Sequence, residues 1–239
     1  MNTTHLKIKS NNLLLDGVLV TPNPTVKKGV IFFHGGGHAD AERYGEVQAC
    51  LSNQGIISLA FSFRGCGNSE GYLTNSTLND RLIDAESALQ YFINTTGLPE
   101  NQIYLWGSSM GGHVACRLIS KHLKIKGLIL QSAAAYGLEA ESQPFGPDFT
   151  EIINKPENWN SSGAFTDLKK YLSHTLIIYG LDDKVIPEGV KTSYRESALQ
   201  PEYHEISGYG HPMLRPTSNT EKIAWLEMLN LATKFILEK

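Results

Sequence analysis

The 239-residue chain has few cysteines, no long apolar run and little net charge. Its three cysteines are an odd number and lack the spacing of a metal site, so we expect no bound metal and a reducing, cytoplasmic setting. No apolar run approaches the length of a transmembrane span, and residues 1–7 lack the hydrophobic core of a signal peptide. The sequence therefore predicts a cytoplasmic protein without a membrane span.

The formal net charge is −3, and residues of both signs are scattered along the chain. This pattern gives no support for nucleic acid or an anionic membrane as a partner. No linker, internal repeat or low-complexity tract divides the sequence, so we expect one domain over residues 1–239. The oligomeric state is not determined by the sequence, which is compatible with a homodimer.

Apolar runs alternate with segments of helical periodicity, which predicts a mostly parallel sheet flanked by helices. An antiparallel pair is expected first, at residues 6–9 and 13–20. The predicted strands that follow cover residues 29–33, 56–63, 103–106, 127–131, 172–179 and 203–206. The predicted helices cover residues 41–53, 79–93, 113–120, 187–199 and 220–237. For the second helix we expect Asn79 or Asp80 as the cap and an inner face of Leu82, Ile83, Ala85, Leu89 and Phe92.

Two serines lie in a G-x-S-x-G pattern, which in a strand–turn–helix context forms a nucleophile elbow. Ser109 follows the predicted strand 103–106 and precedes a helical run. Ser69 matches the same pattern, but the residues after Gly71 are typical of a loop. We therefore predict Ser109 as the nucleophile and interpret Ser69 as a loop serine.

A serine nucleophile needs a general base that is oriented by a carboxylate. His204 and His211 are the histidines that follow both Ser109 and an aspartate pair, Asp182 and Asp183. His204 lies within a predicted strand, whereas His211 lies in a glycine-flanked loop after the last strand, so we predict His211 as the base. The residues themselves leave Asp182 and Asp183 open as the acid.

The oxyanion of an acyl-transfer intermediate needs two backbone donors. The amide of Met110, directly after Ser109, is the first candidate, and the glycine loop 35–37 after the strand 29–33 is expected to supply the second. We interpret His34 as a residue that fixes this loop. His38 either lines the substrate pocket or is simply exposed.

Residues 132–170 lack clean periodicity, and we expect a lid-like insertion of short pieces there. Its aromatic residues either shape an acyl pocket or pack among themselves; they are Tyr136, Phe145, Phe149 and Trp159. Arg64, in the glycine-rich loop 64–71, is expected to tie down that loop in preference to binding a substrate anion.

Taken together, these motifs resemble those of the α/β-hydrolase superfamily over nearly the whole chain. The likeness rests on residues 33–37, 64–71, 107–111, 180–187 and 208–211, and it is greatest to small esterases, feruloyl-esterase-like enzymes and serine-aminopeptidase-like hydrolases with a short lid. The resemblance implies the α/β-hydrolase fold. It favours Asp183 as the acid, and Gly36 as the second oxyanion donor with Gly35 as the alternative.

The sequence thus predicts a serine hydrolase that cleaves a small or medium carboxylic ester through an acyl-enzyme. Ser109, His211 and Asp183 would form the catalytic triad, and Gly35 and His38 would contact the substrate. No cofactor is expected, and the expected partner is a small ester. A peptidase or amidase with the same triad is one alternative, and a non-catalytic binding protein on a hydrolase scaffold is another.

Overall fold

The computed structural model describes residues 1–24, 27–211 and 215–239. The strands of its central sheet are β1 (Asn2–Ser10), β2 (Leu13–Thr21), β3 (Gly29–Phe33), β4 (Ile57–Phe61), β5 (Ile103–Ser108), β6 (Gly127–Gln131), β7 (His174–Gly180) and β8 (Glu202–Ile206). They form one eight-stranded sheet in the order β1-β2-β4-β3-β5-β6-β7-β8. The predicted mostly parallel sheet is confirmed, with β3 to β8 parallel and the hairpin β1–β2 antiparallel at one edge.

Helices cover both faces of this sheet. The helices are α1 (Gly45–Asn53), α2 (Leu78–Thr96), α3 (Met110–Leu118), α4 (Leu138–Glu141), α5 (Pro147–Ile153), α6 (Gly163–Leu168), α7 (Glu188–Ser197) and α8 (Asn219–Glu238). Successive strand side chains alternate between the faces: Phe33 packs in the core beneath α2, α3, α6 and α7, while Phe32 packs in the core beneath α1 and α8. Among the described residues, no helix combines the length and the hydropathy needed to cross a membrane.

Helix α2 differs from the expectation at its start and on its inner face. Its cap is Thr77, whose hydroxyl accepts the amide of Asp80, while the Asp80 carboxylate accepts the amide of Thr77. Ile83 is 40% exposed, whereas Arg81 is buried on the face toward the sheet. The predicted burial of Ala85, Leu89 and Phe92 is confirmed, whereas the prediction was wrong for Ile83, because apolarity alone was used to choose the buried face and the charged Arg81 occupies part of it.

Residues 132–170 contain α4, α5, α6 and a 3₁₀ turn at Asn158–Ser161. Tyr136, Phe145 and Phe149 are buried, and the ring centroid of Phe149 lies 5.8 Å from that of Tyr136 and 4.9 Å from that of Phe145. Of the two interpretations offered for these aromatic residues, the contacts favour internal packing. The role of the segment as a lid stays a prediction.

Candidate active site

Ser109 lies at the junction between β5 and α3, with a φ of 52° and a ψ of −119°. A positive φ is uncommon for a residue with a side chain and is retained where the surrounding structure enforces it. The sharp turn leaves Ser109 partly exposed, whereas its neighbours Ser108 and Met110 are buried. The predicted strand–turn–helix context of this serine is therefore present.

The glycines around Ser109 are required by close backbone approach. A Cβ on Gly107 would overlap the backbone of Gly111, and a Cβ on Gly111 would overlap the carbonyl oxygen of Phe33. These contacts press α3 against the ends of β3 and β5. The G-x-S-x-G spacing thus has a steric cause in this chain.

His211 joins Ser109 to Asp183 through two hydrogen bonds. Its Nδ1 lies 2.8 Å from Oδ2 of Asp183, and its Nε2 lies 2.9 Å from Oγ of Ser109. Because an ionised carboxylate only accepts, Nδ1 carries the proton and Nε2 is free to accept the serine hydroxyl. This arrangement prepares the imidazole to take a proton from Ser109.

Asp183 is held in place by the turn that follows β7. Its Oδ1 accepts the amides of Val185 at 2.9 Å and Ile186 at 3.2 Å, which leaves Oδ2 for His211. Burial alone would raise the pKa of Asp183, but these hydrogen bonds and the interaction with His211 hold that pKa below its usual value. Asp182 is exposed, so the geometry favours Asp183 between the two aspartates.

A buried polar network underlies the loop that carries His211. Oε1 of Gln131 accepts Nε1–H of Trp106 and the hydroxyl of Ser108, both at 2.8 Å, and Nε2 of Gln131 donates to the hydroxyl of Tyr209. Tyr209 precedes His211 by two residues and is fully buried. Gln131 was not among the residues predicted from the sequence; its signal was an amide at the end of an otherwise apolar strand.

The glycine loop after β3 lies against the elbow. A Cβ on Gly35 would lie 3.2 Å from Cβ of Ser109, and a Cβ on Gly36 would lie 3.3 Å from Cε of Met110. The structure thus brings Gly35, Gly36 and Met110 together beside the serine. Their roles as substrate contact and oxyanion donors stay predictions.

His34 fixes this loop from the inside, as expected. It is fully buried, and its Nε2 accepts the amide of Phe63 at 3.0 Å. The proton therefore lies on Nδ1, which donates to the carbonyl oxygen of Gly35 at 2.8 Å. Burial, reinforced by the charge of Arg81, holds the pKa of His34 well below its usual value, so the ring is neutral.

His38 is exposed and borders a cavity of about 420 Å³ beside Gly36. The other described residues that line this cavity are Ala39, Asp40, Glu42, Arg43 and Arg215. The lining is polar and carries charges of both signs. A substrate contact by His38 stays a prediction, and the cavity is of a size that suits a small ligand.

The remaining polar candidates have structural contacts. Arg64 pairs with Asp80 at 2.5 Å and with Asp84 at 2.7 Å, which ties its loop to α2 as predicted. The hydroxyl of Ser69 donates to the carbonyl of Ser62 at 2.6 Å and accepts the amide of Asp16 at 2.8 Å. Within the described part of the chain, no group of three or more His, Cys, Asp or Glu side chains is arranged to hold a metal ion.

Comparison with protein families gives one match that spans more than half of the chain. The family model for serine aminopeptidase, S33, matches residues 24–159. The matched range includes the glycine loop, the loop of Arg64 and the elbow at Ser109. It ends before Asp183 and His211.

Curated proteins with similar sequences are longer than this chain. A mimivirus protein of unassigned function from Acanthamoeba polyphaga mimivirus is 33% identical over 129 residues, which are 52% of this chain and 43% of that protein. Lysophosphatidylserine lipase ABHD12 of Xenopus tropicalis is 30% identical over 186 residues, which are 71% of this chain and 45% of the lipase. The chain thus spans less than half the length of these two relatives.

Solved structures show the same fold over nearly the whole chain. Est1E of Butyrivibrio proteoclasticus with bound ferulic acid superposes with a TM-score of 0.74 at 21% identity and covers 98% of both chains. Esterase 2 of Thermogutta terrifontis, phosphonylated by sarin, gives a TM-score of 0.75 at 17% identity and covers 99% of this chain and 95% of that one. The expected α/β-hydrolase fold is confirmed; at these identities the likeness concerns the fold alone.

Proposed function

Because this chain belongs to the serine aminopeptidase S33 family of α/β-hydrolases, we propose that it is a serine hydrolase that cleaves small or medium carboxylic esters. The observation that carries this proposal is the continuous hydrogen-bond chain from Ser109 through His211 to Asp183. Such a chain supplies a nucleophile, a base in the correct tautomer and a group that orients the base. No cofactor is required by these three roles.

In the proposed reaction, Oγ of Ser109 attacks the ester carbonyl carbon while Nε2 of His211 takes the hydroxyl proton. The developing oxyanion accepts hydrogen bonds from the amides of Gly36 and Met110. The protonated His211, stabilised by Asp183, then gives its proton to the leaving alkoxide. An acyl-enzyme on Ser109 results, and a water activated by the same imidazole releases the acid.

We propose that the cavity beside Gly36 holds one group of the substrate, with Ser109 and His211 lying outside its described lining. Its volume of about 420 Å³ and its polar lining suit a compact acyl or alcohol group with polar substituents. We propose His38, which lines this cavity, and Gly35, which lies beside Ser109, as contacts of the substrate. A cytoplasmic, reducing location is proposed as well, since Cys50, Cys66 and Cys116 are all free of disulfides.

Labelling with a fluorophosphonate probe, followed by peptide mass spectrometry, tests the proposal. One stoichiometric adduct on Ser109 is expected, with none on Ser69. The variant Ser109→Ala should not be labelled. If the folded wild-type protein formed no adduct, Ser109 would be blocked or inactive, and this result would favour the alternative of a non-catalytic binding protein on a hydrolase scaffold.

A peptidase or amidase is the second candidate, since the matched family is described as serine aminopeptidase. The same triad serves both reactions, and the leaving group distinguishes them. We would compare kcat/KM for p-nitrophenyl esters of short and medium acids with that for aminoacyl anilides. Much faster turnover of the esters supports the ester proposal, whereas comparable turnover supports the peptidase.

A further inference from the structure

Arg81 is a buried cation on the inner face of α2. Its side chain lies between the rings of Phe63 and Phe145, with the guanidinium carbon 4.8 Å and 5.0 Å from their centroids. Among the described residues, no carboxylate lies within ion-pair distance of this guanidinium. Burying a charge without an ion-pair partner is costly, and burial lowers the pKa of Arg81. A buried guanidinium without an ion-pair partner therefore needs a specific physical explanation.

The hydrogen bonds of Arg81 go to the loop beside the elbow. Its Nη1 donates to the carbonyl oxygen of Gly35 at 2.8 Å, and its Nη2 lies 3.8 Å from Sγ of Cys66. The thiol of Cys66 in turn donates to the carbonyl of Gly37 at 3.4 Å. The carbonyl of Gly35 thus accepts a hydrogen bond from the buried Arg81, and the carbonyl of Gly37 accepts one from the buried Cys66.

The carbonyl of Gly35 and the amide of Gly36 belong to the same peptide group. In the described chain the cis peptide bond is the one between Asn23 and Pro24, so the Gly35–Gly36 bond is trans. In a trans peptide the C=O and N–H bonds point in opposite directions. Drawing the carbonyl of Gly35 toward Arg81 therefore turns the N–H of Gly36 away from the interior.

A peptide between two glycines has little preference of its own for this orientation, because glycine is conformationally permissive. Two donors act on the one carbonyl: Nη1 of Arg81 and Nδ1 of His34, each at 2.8 Å. The residue that carries this carbonyl lies beside the nucleophile, since a Cβ on Gly35 would lie 3.2 Å from Cβ of Ser109. The orientation of the Gly35–Gly36 peptide group therefore bears directly on the reaction at Ser109.

We propose that Arg81 is a positioning residue that holds the Gly35–Gly36 peptide with its N–H directed at the oxyanion. This inference rests on the proposed function, since it concerns the reaction at Ser109. Arg81 does not touch the substrate. It acts through the carbonyl of Gly35, and the Gly36 amide is the group that it prepares.

Three variants test this inference. Arg81→Met keeps the apolar stem and removes every donor, Arg81→Lys keeps one charged donor, and Arg64→Gln is the matched control. Arg64 is paired with Asp80 and Asp84 of the same helix, so its loss loosens α2 without removing a bond to Gly35. Steady-state ester hydrolysis, the rate of fluorophosphonate labelling and the melting temperature would be measured for all three.

We expect Arg81→Met to lower kcat about 10–100-fold. This is less than the ~10²–10³-fold typical of deleting an oxyanion donor, because the Gly36 amide is still present and has only lost a bond that fixes its orientation. KM should change little, since an interaction made in the transition state is lost. The labelling rate should fall with kcat. Arg81→Lys should recover most of kcat, and Arg64→Gln should lose stability while keeping kcat within about 3-fold of wild type.

Equal kcat values for Arg81→Met and Arg64→Gln would overturn the inference and leave the proposed function standing. A wild-type protein that is neither labelled nor active on esters would overturn both. If Arg81→Met failed to fold, Arg81→Gln would take its place, because its side chain is shorter and neutral and is expected to lose the bond to the carbonyl of Gly35. Wild-type kcat in folded Arg81→Gln would equally refute the inference.

Discussion

Gly180, the last residue of β7, packs directly against the carbonyl group of Tyr209, in the loop after β8. A Cβ at position 180 would overlap the backbone of Tyr209. Asp183 follows Gly180 by three residues and His211 follows Tyr209 by two. This close backbone contact thus sets the distance between the carboxylate and the imidazole.

Replacing Gly180 with alanine should separate the two loops. We expect a loss of about 1–3 kcal/mol in the free energy of unfolding from overpacking. Ester kcat should fall by about 10²-fold, since a displacement near 1 Å is enough for this. The control is Gly45→Ala, because a Cβ there meets nothing within 4 Å. Normal kcat in Gly180→Ala would show that the loops adjust without separating Asp183 from His211.

The two serines of the repeated G-x-S-x-G pattern should behave differently. Ser109→Ala removes the hydroxyl bound to His211 and should abolish nearly all ester hydrolysis. Ser69→Ala removes bonds to Ser62 and Asp16 and should cost about 1 kcal/mol of stability while most activity is kept. Turnover assays and urea unfolding of both variants measure this contrast; similar losses of kcat would mean that the wrong serine has been chosen.

The adjacent aspartates provide a second matched pair. Asp183→Asn should lower kcat about 10³–10⁴-fold, since an amide at this place favours the wrong tautomer of His211. Asp182→Asn changes an exposed side chain and should leave kcat near that of wild type. Single-turnover kinetics with a chromogenic ester would compare them, and a larger effect at position 182 would move the acid by one residue.

His122 should make stability depend on pH away from the site. Its Nδ1 lies 2.6 Å from Oε1 of Glu100, and its Nε2 lies 2.8 Å from Oε2 of Glu86. Burial alone would lower the pKa of His122, but these two carboxylates raise it above the usual value. The stabilisation is therefore complete below the unfolded pKa of about 6.5 and is lost as the pH rises through the folded pKa.

Urea unfolding at a series of pH values would measure this effect. The free energy of unfolding of wild type should decline from about pH 6.5 upward, and His122→Gln should remove that decline. His5→Gln, at an exposed position of β1, is the control and should leave the profile unchanged. Identical profiles for wild type and His122→Gln would refute the assignment.

Much of the fold could be predicted from the sequence because its signals are local. Continuous apolar runs such as 29–33 and 127–131 suit a strand covered on both faces, and both form central strands. The carboxyl ends of parallel strands meet at one edge of the sheet. Ser109 and His211 could therefore be predicted to lie close together. The cap of α2 was misassigned because Thr77 and Asp80 form a reciprocal box whose first residue was overlooked.

What the sequence by itself determined was the order of strands and helices, the elbow around Ser109 and a short set of candidate bases and acids. These follow from periodicity and from motifs within a few residues. The residues themselves left two adjacent aspartates open and the motif resemblance favoured Asp183; the tertiary structure shows that Asp183 is the one that faces His211, because the direction of a side chain in a turn depends on what packs against it. It also decided that Arg81 and Gln131 lie beneath the site, since their partners are 46 and 78 residues away along the chain.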